Sequence, residues 1–391
     1  MSSTIETSNG DVSSKVSLRN RITQLSGWWE LQEASESSIT HILDLRSTEE
    51  NEKRCLSAPV RREPLSSIDL VVVPIPISVV EKRSFELPAR HVTFSILVSE
   101  ADLDRADSFL CGSNRKRPNP WKVAHVLLDT EELWSQAKDL GILKNSECTL
   151  EVHEQRNLNQ EGPIKSTTST SMKSKIQQIP LARLWQPDPM VETVLFPLLV
   201  KTNDSDQQTL SYKDPQQVWD LASGAGRDVA FLAEELLAAE KPYQIVGIDH
   251  RYNEKETKIV NDFWDRRGVG NQTSSLKLNL SHWKNLEDAM ASILNTNQAA
   301  AIFCVRFWKP DLVKAIAHSP SIHAGVLFGL SHFCKPAVGA PWNFDHPSEK
   351  TVLERNHLFD LFHNQWDVLS DEIALDSDHG RTMIHFVARR R

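Results

Sequence analysis

The chain has 391 residues, with 44 Lys and Arg against 52 Asp and Glu, and a formal net charge of −8 at pH 7. That length predicts two or three domains with sizeable cores. The acidic balance excludes a broad, sequence-independent affinity for nucleic acid, which needs a basic footprint. Five cysteines, Cys55, Cys111, Cys148, Cys304 and Cys334, form no Cys-x-x-Cys pair, so neither a metal site nor a disulfide framework is expected. A reducing compartment, the cytoplasm, fits this usage best.

Residues 1–24 are rich in Ser and Thr and poor in large apolar groups, which predicts a disordered arm. An organellar transit peptide is the rival reading; Glu6, Asp11 and the lack of arginine before Arg19 count against it. The longest apolar run, 68–80, is broken by Asp69, Pro74, Pro76 and Ser78, so no membrane span and no membrane partner are expected. Within it Leu70-Val71-Val72-Val73 reads as a buried strand, and 92–98 and 123–128 as two more. Arg115-Lys116-Arg117 reads as a solvated loop.

Residues 25–146 thus form a small parallel α/β domain, opening with His41-Ile42-Leu43-Asp44-Leu45-Arg46-Ser47. On Asp44-Leu45-Arg46 above all, it resembles a rhodanese-like domain. A working sulfurtransferase needs a thiolate in the loop after a central strand. Ser99-Glu100-Ala101-Asp102 stands there instead, and Cys111-Gly112-Ser113-Asn114-Arg115 has the wrong spacing. The domain is therefore expected to be inactive in sulfur transfer, with a structural or partner-binding role. Residues 147–178, including Ser166-Thr167-Thr168-Ser169-Thr170-Ser171, read as a polar linker, and 179–391 as the catalytic domain.

In that second half a helix is predicted over 190–200 and a polar surface loop over 202–208. Val218-Trp219-Asp220-Leu221-Ala222-Ser223-Gly224-Ala225-Gly226-Arg227-Asp228 then reads as a strand, a tight Gly-rich turn and the start of a helix. Such a turn lies at the carboxyl edge of a sheet and suits an anionic or nucleotide-like ligand. Val229 stands where a dinucleotide fingerprint needs its third glycine, and Arg227-Asp228 where a P-loop needs Gly-Lys-Ser/Thr, so NAD and ATP are disfavoured. One helix and one strand later comes Gly247-Ile248-Asp249.

Asp220-x-Ala222-x-Gly224-x-Gly226 followed by Asp249 resembles the first two motifs of class I S-adenosylmethionine (SAM)-dependent methyltransferases, with alanine in the first glycine slot. The match to Asp-Leu-Ala-Ser-Gly-Ala-Gly-Arg-Asp and the upstream Ala182-Arg183-Leu184-Trp185-Gln186-Pro187 is most similar to the tellurite-resistance type. The resemblance implies a Rossmann-like domain with a mostly parallel seven-stranded sheet and SAM as cofactor. Its implied binding residues are Asp220, Ala222, Ser223, Gly224, Gly226, Arg227, Asp249, His250, Asn279 and Leu280. Chemically, a helix N-terminus suits the SAM carboxylate, Asp220 the ammonium and Asp249 the ribose hydroxyls, while Asn279 on the family pattern meets the adenine edge.

Later strands are predicted near 275–280, 300–305, 325–330, 366–369 and 382–388, the last two joined by an acidic turn at 376–380. The fourth ends Cys304-Val305-Arg306-Phe307-Trp308, without the Asp/Asn-Pro-Pro-aromatic sequence of amino-methylating relatives. It also lacks Pro-Cys or Thr-Cys, so Cys304 reads as a buried strand residue. Arg306 and Trp308 offer a cation and a flat wall, and His332, after the fifth strand, stands at the correct edge for a general base. These three are the catalytic candidates. The expected activity is SAM-dependent methyl transfer, with a small thiol or chalcogen oxyanion favoured as acceptor. RNA or protein acceptors and a non-catalytic SAM-binding scaffold stay open, and the sequence carries no signal for oligomeric state.

Overall fold

The computed structural model describes residues 17–33, 39–57, 69–112, 120–144, 183–201, 216–241, 243–292, 299–376 and 380–391. These divide into two compact units, the first ending at residue 144 and taking in 183–185, the second running from residue 186 onward. The expected arm over 1–16, the linker over 147–178 and the basic loop Arg115-Lys116-Arg117 lie outside the described residues.

In the first unit, α1 (Leu25–Glu33) leads to β1 (Ile39–Asp44), α2 (Thr48–Lys53) and β2 (Cys55–Leu56). Then come β3 (Asp69–Pro74), β4 (Thr93–Val98), α3 (Leu103–Leu110), β5 (Lys122–Leu128), α4 (Glu131–Asp139) and β6 (Leu143–Lys144). Four strands form a parallel sheet in the order β3-β1-β4-β5. Period-two alternation sends Leu43, Ile96 and Val126 to one core and Ile42, Leu97 and Leu127 to the other. Residues 17–24, assigned to the arm from composition, are ordered at their start: Leu18 is buried and its N–H donates to Asp107 at 3.0 Å.

Asp44 and Arg46 form a buried ion pair with N···O distances of 2.7 and 3.0 Å, and the guanidinium lies 4.6 Å from the Trp134 ring centroid. Both residues are held inside the unit as structural groups. Ser99, after the central β4, caps the 3₁₀ turn Glu100–Asp102, its Oγ accepting from Asp102 N–H at 3.2 Å. Burial pushes the Cys111 thiol up to about 11, which opposes thiolate chemistry.

The second unit opens with a π-helical turn at Val191–Leu195 and α5 (Phe196–Lys201). It continues with β7 (Gln216–Leu221), α6 (Arg227–Ala238), β8 (Tyr243–Asp249), α7 (Glu254–Arg266) and β9 (Thr273–Lys277). Next are α8 (Trp283–Ser292), β10 (Ala299–Val305), α9 (Pro310–His318), β11 (Leu327–Phe333), α10 (His357–Phe362), β12 (Trp366–Leu375) and β13 (Thr382–Arg390). Local signals mark the helix starts: Asn253 accepts from Glu256 N–H ahead of α7, and Pro310 opens α9.

The sheet order is β12-β13-β11-β10-β7-β8-β9, parallel except for β13, which runs antiparallel to both its neighbours. Trp219, Leu221, Ile302 and Cys304 fill the core beneath α8, α9 and α10. Alternation therefore turns Val218 and Asp220 to the opposite face. From β7 the chain moves outward to β8 and β9, then returns to the other side of β7 as β10. The carboxyl ends of β7 and β10 thus flank the topological switch point where open α/β sheets bind ligands.

The turn after β7 depends on Trp264 from α7, whose indole N–H donates to the Gly226 carbonyl at 3.0 Å. A Cβ on Gly226 would lie 2.8 Å from that ring, and its φ is +70°. Gly226→Ala is expected to lower stability by about 2–4 kcal/mol, from left-handed backbone strain plus the clash. Gly268→Ala, at φ +76° with nothing within 4 Å, is expected to show the strain cost alone. Equal losses for the two variants in urea unfolding would contradict the role given to Trp264.

Candidate active site at the switch point

The turn is wound from left-handed residues: Ala222, Gly224 and Gly226 have φ of +62°, +61° and +70°. Alanine at the first of these carries a strain of roughly 1–2 kcal/mol that glycine avoids. Cross-links to β8 hold the turn in place. Ser223 N–H donates to the Ile248 carbonyl at 3.1 Å, and Gly224 N–H to Asp249 Oδ2 at 2.9 Å. The Ser223 hydroxyl lies 2.6 Å from the Tyr252 hydroxyl. Arg227 begins α6 directly after the turn.

Four carboxylates converge here. Asp220 is 2% exposed, and its carboxyl is pushed well above the usual range by burial, then by the charges of Asp228, Asp249 and Asp188. No hydrogen bond from a described residue offsets this. Burial, then Asp188, raises Asp228 in the first turn of α6 to about 7. Asp188 is raised by its own burial. Its N–H donates to Asp228 Oδ1 at 2.8 Å, and its Oδ2 accepts from Ser331 Oγ at 2.9 Å. His385 and Arg306 lie close enough to favour the Asp188 anion, without an ion pair between them. A buried carboxyl without a cation keeps its proton or takes up a cationic ligand.

Asp249 is the exception. Burial alone raises its pKa, but hydrogen bonds from the Arg251 side chain and backbone and from Gly224 N–H carry it below the usual value. Arg251 N–H donates to Oδ1 at 2.8 Å and its guanidinium reaches both oxygens at 3.2 and 3.3 Å. One Arg251 nitrogen lies 3.0 Å from where a Gly224 Cβ would stand, so the exposed side chain folds over the turn. His250 is exposed, its Nδ1 3.2 Å from Asp249.

Across the crevice, Arg306 follows β10 with a left-handed φ of +54°, its N–H donating to the Ser331 carbonyl at 2.7 Å. Its guanidinium donates to Asp376 at 3.1 Å and is half exposed. The Trp308 ring lies 6.5 Å from that of His332 and 5.5 Å from that of His357, centroid to centroid.

His332 departs from its expected placement. β11 runs on to Phe333, so His332 sits inside the strand at 4% exposure, with Nε2 2.8 Å from the Thr351 carbonyl. That contact requires the proton on Nε2 and leaves Nδ1 as a buried acceptor without a partner among the described residues. Burial lowers its pKa to about 4, too weak a base to take a proton from an alcohol.

Asp220, Ala222, Ser223, Gly224, Gly226, Arg227 and Asp249 therefore come together at the turn, and Arg306, Trp308 and His332 at the ends of β10 and β11. Two other residues sit differently. Leu280 is buried in the core on the far face of the sheet, and the exposed Asn279 side chain accepts from Ser281 N–H at 2.9 Å within its own turn. Cys304 is buried in the same core as Leu280, which raises its thiol far above the ordinary range. Sequence reasoning missed Asp188, Asp228, Arg251, Ser331, Asp376 and Arg381. Asp228 was signalled only by its place two residues after Gly226.

No family model and no curated protein matches the chain. Among solved structures it is similar to the [4+2]-cyclase SpnF, at 13% identity and a TM-score of 0.34, over 50% of this chain and 79% of that one. It is similar to a Burkholderia thailandensis 1,6-didemethyltoxoflavin-N1-methyltransferase with bound S-adenosylhomocysteine, at 14% identity and a TM-score of 0.32, over 45% and 72%. A geranyl diphosphate C-methyltransferase from Streptomyces coelicolor A3(2) gives 10% identity and a TM-score of 0.34, over 47% and 76%.

The carboxyl cluster makes stability depend on pH. Asp228 titrates near 7 when folded, against an ordinary 3.8, so the folded chain holds a proton that the unfolded chain has lost. Its contribution is complete below about pH 4 and disappears as pH rises through about 7. With about 1.4 kcal/mol per pK unit, the change is on the order of a few kcal/mol. Asp228→Asn keeps an oxygen for Asp188 N–H, so its melting temperature is expected to fall less between pH 6 and 8 than that of the unaltered chain. Parallel falls would contradict the assignment.

Proposed function

We propose that the second unit is a SAM-dependent methyltransferase whose cofactor occupies the crevice between the ends of β7 and β10. One observation carries this reading: Asp220 is a buried carboxylate with no hydrogen-bond partner among the described residues, beside a left-handed glycine turn and the N-terminus of α6. A ligand combining a carboxylate with an ammonium fits that pairing, the anion at the helix N-terminus and the cation at Asp220. Asp249, at the end of β8, suits a pair of hydroxyls once the Arg251 side chain swings outward. Arg251 is 59% exposed, so the movement costs little packing. Ala222, Ser223, Gly226, Arg227 and His250 complete the turn side of this site, and Asn279 is assigned to it through the adenine edge of the family pattern.

When bound, SAM supplies a methyl group activated by its sulfonium. The chain's part is to bind, orient and exclude water. Neutral His332 with its low pKa supplies no strong base, and burial in the core raises the Cys304 thiol far above the ordinary range. Both observations favour an acceptor that is already nucleophilic, a small thiol or chalcogen oxyanion, in keeping with the resemblance to the tellurite-resistance type. Arg306 then faces its negative charge and Trp308 offers an apolar wall. The first unit is read as a rhodanese-like module without sulfur-transfer activity, since Ser99 and acidic side chains fill the loop after β4.

Calorimetric titration with SAM tests the reading. Gly224→Val should eliminate binding because a side chain would fill the space where backbone meets ligand, and Asp249→Ala should weaken it by roughly 1–3 kcal/mol. SAM affinity unchanged in both variants would overturn the site.

A further inference from the structure

Arg306 and Arg381 share one carboxylate. Asp376, 1% exposed, takes Arg306 on Oδ1 at 3.1 Å and Arg381 on Oδ2 at 3.0 and 2.5 Å. Both guanidiniums also lie against the Phe333 ring, 5.8 and 4.5 Å from its centroid. Arg381 is largely buried and fully occupied, since its remaining nitrogen donates to the His346 carbonyl at 3.0 Å. Arg306 differs. It is 47% exposed, uses only Nη2 on Asp376, and its Nε and Nη1 donate to no described residue.

Two cations on one buried anion leave positive charge, part of which favours the nearby Asp188 and Asp228 anions, and the planar edge of Arg306 that donates to no described residue stands at the carboxyl end of β10. Such an edge matches the two oxygens of an organic anion. A row of rings leads away from it: Phe333 to Trp342 at 6.3 Å, and Trp342 to the exposed Phe344 at 5.0 Å. The left-handed backbone at Arg306 costs free energy that its hydrogen bonds hold in place, a pattern found at functional sites.

We infer that, of the two acceptor classes proposed above, the acceptor is the thiol, and that it carries a carboxylate on a flat apolar body, held by that edge of Arg306 along the Phe333–Trp342–Phe344 row, with Asp376 and Arg381 as positioning residues. This rests on the methyltransferase reading for the word acceptor; the anion site itself stands on the geometry alone. Arg381 never touches the ligand. It fixes Asp376, and Asp376 fixes the direction in which Arg306 points.

The test is ligand-observed NMR titration of the full chain with benzoate, benzamide, acetate and inorganic phosphate. Benzoate should bind at least tenfold more tightly than its neutral analogue benzamide and more tightly than acetate or phosphate. Arg306→Lys keeps the charge and loses the planar edge, so it should weaken benzoate several-fold. Arg381→Met should weaken benzoate but leave the weak benzamide affinity unmoved, and Arg381→Lys should restore part of the loss. Equal affinity for benzoate and benzamide, a preference for phosphate, or benzoate binding indifferent to Arg306→Lys would overturn the inference. SAM binding to the unaltered chain is measured separately: its failure removes the methyltransferase reading, while the benzoate series still decides the anion site.

Discussion

The geometry of the second unit turns on the hydrogen bond from Gly224 N–H to the Asp249 carboxylate. It ties the end of β7 to the end of β8 at 2.9 Å, and with Trp264 against Gly226 it forces the turn into a left-handed path. Because α6 starts as soon as that path ends, its N-terminus stands directly after the turn. Strand order does the rest, since β10 lies on the other side of β7 and brings Arg306 and Trp308 to the facing edge.

Electrostatics divides the crevice into two parts. The β7 side holds Asp220 and Asp228, raised by burial, Asp188 reaches from Asp228 to Ser331 of β11, and the β10 side holds Arg306 and Arg381 with Asp376 between them, Arg306 near enough to favour the Asp188 and Asp228 anions. A cationic cofactor and an anionic acceptor would each meet the complementary side. His332, neutral and bonded through Nε2 to Thr351, adds a lone pair and little basicity. A methyl transfer in this crevice would be governed by position and charge more than by proton transfer.

Much of this was legible from local chemistry. Gly224 and Gly226 announce a tight turn because few other residues tolerate positive φ, and the apolar residues before and after show a strand leading into a helix. His332 was misplaced by the strand boundary: β11 continues through Leu330-Ser331-His332-Phe333, and polar residues near a strand's end hide its true limit. Asp376 was read only as part of an acidic turn. Arg381, five positions on, is a local partner, but Arg306 lies 70 positions away, and pairing over such a distance leaves no mark in a local pattern. Asp188 escaped notice likewise, because its partners Asp228 and Ser331 are distant in sequence.

In the proposed site the buried carboxyl groups beside the glycine turn receive a cationic cofactor. Titration of the unaltered chain with SAM near pH 7, in buffers of different ionisation enthalpy, measures the protons exchanged on binding. Docking a cation beside the cluster favours its charged forms, and Asp228 stands at about 7 in the free chain, so saturable binding is expected with net proton release near pH 7 that shrinks as the pH is raised. Absence of binding, or binding with no proton release at any pH from about 6 to 8, would contradict it.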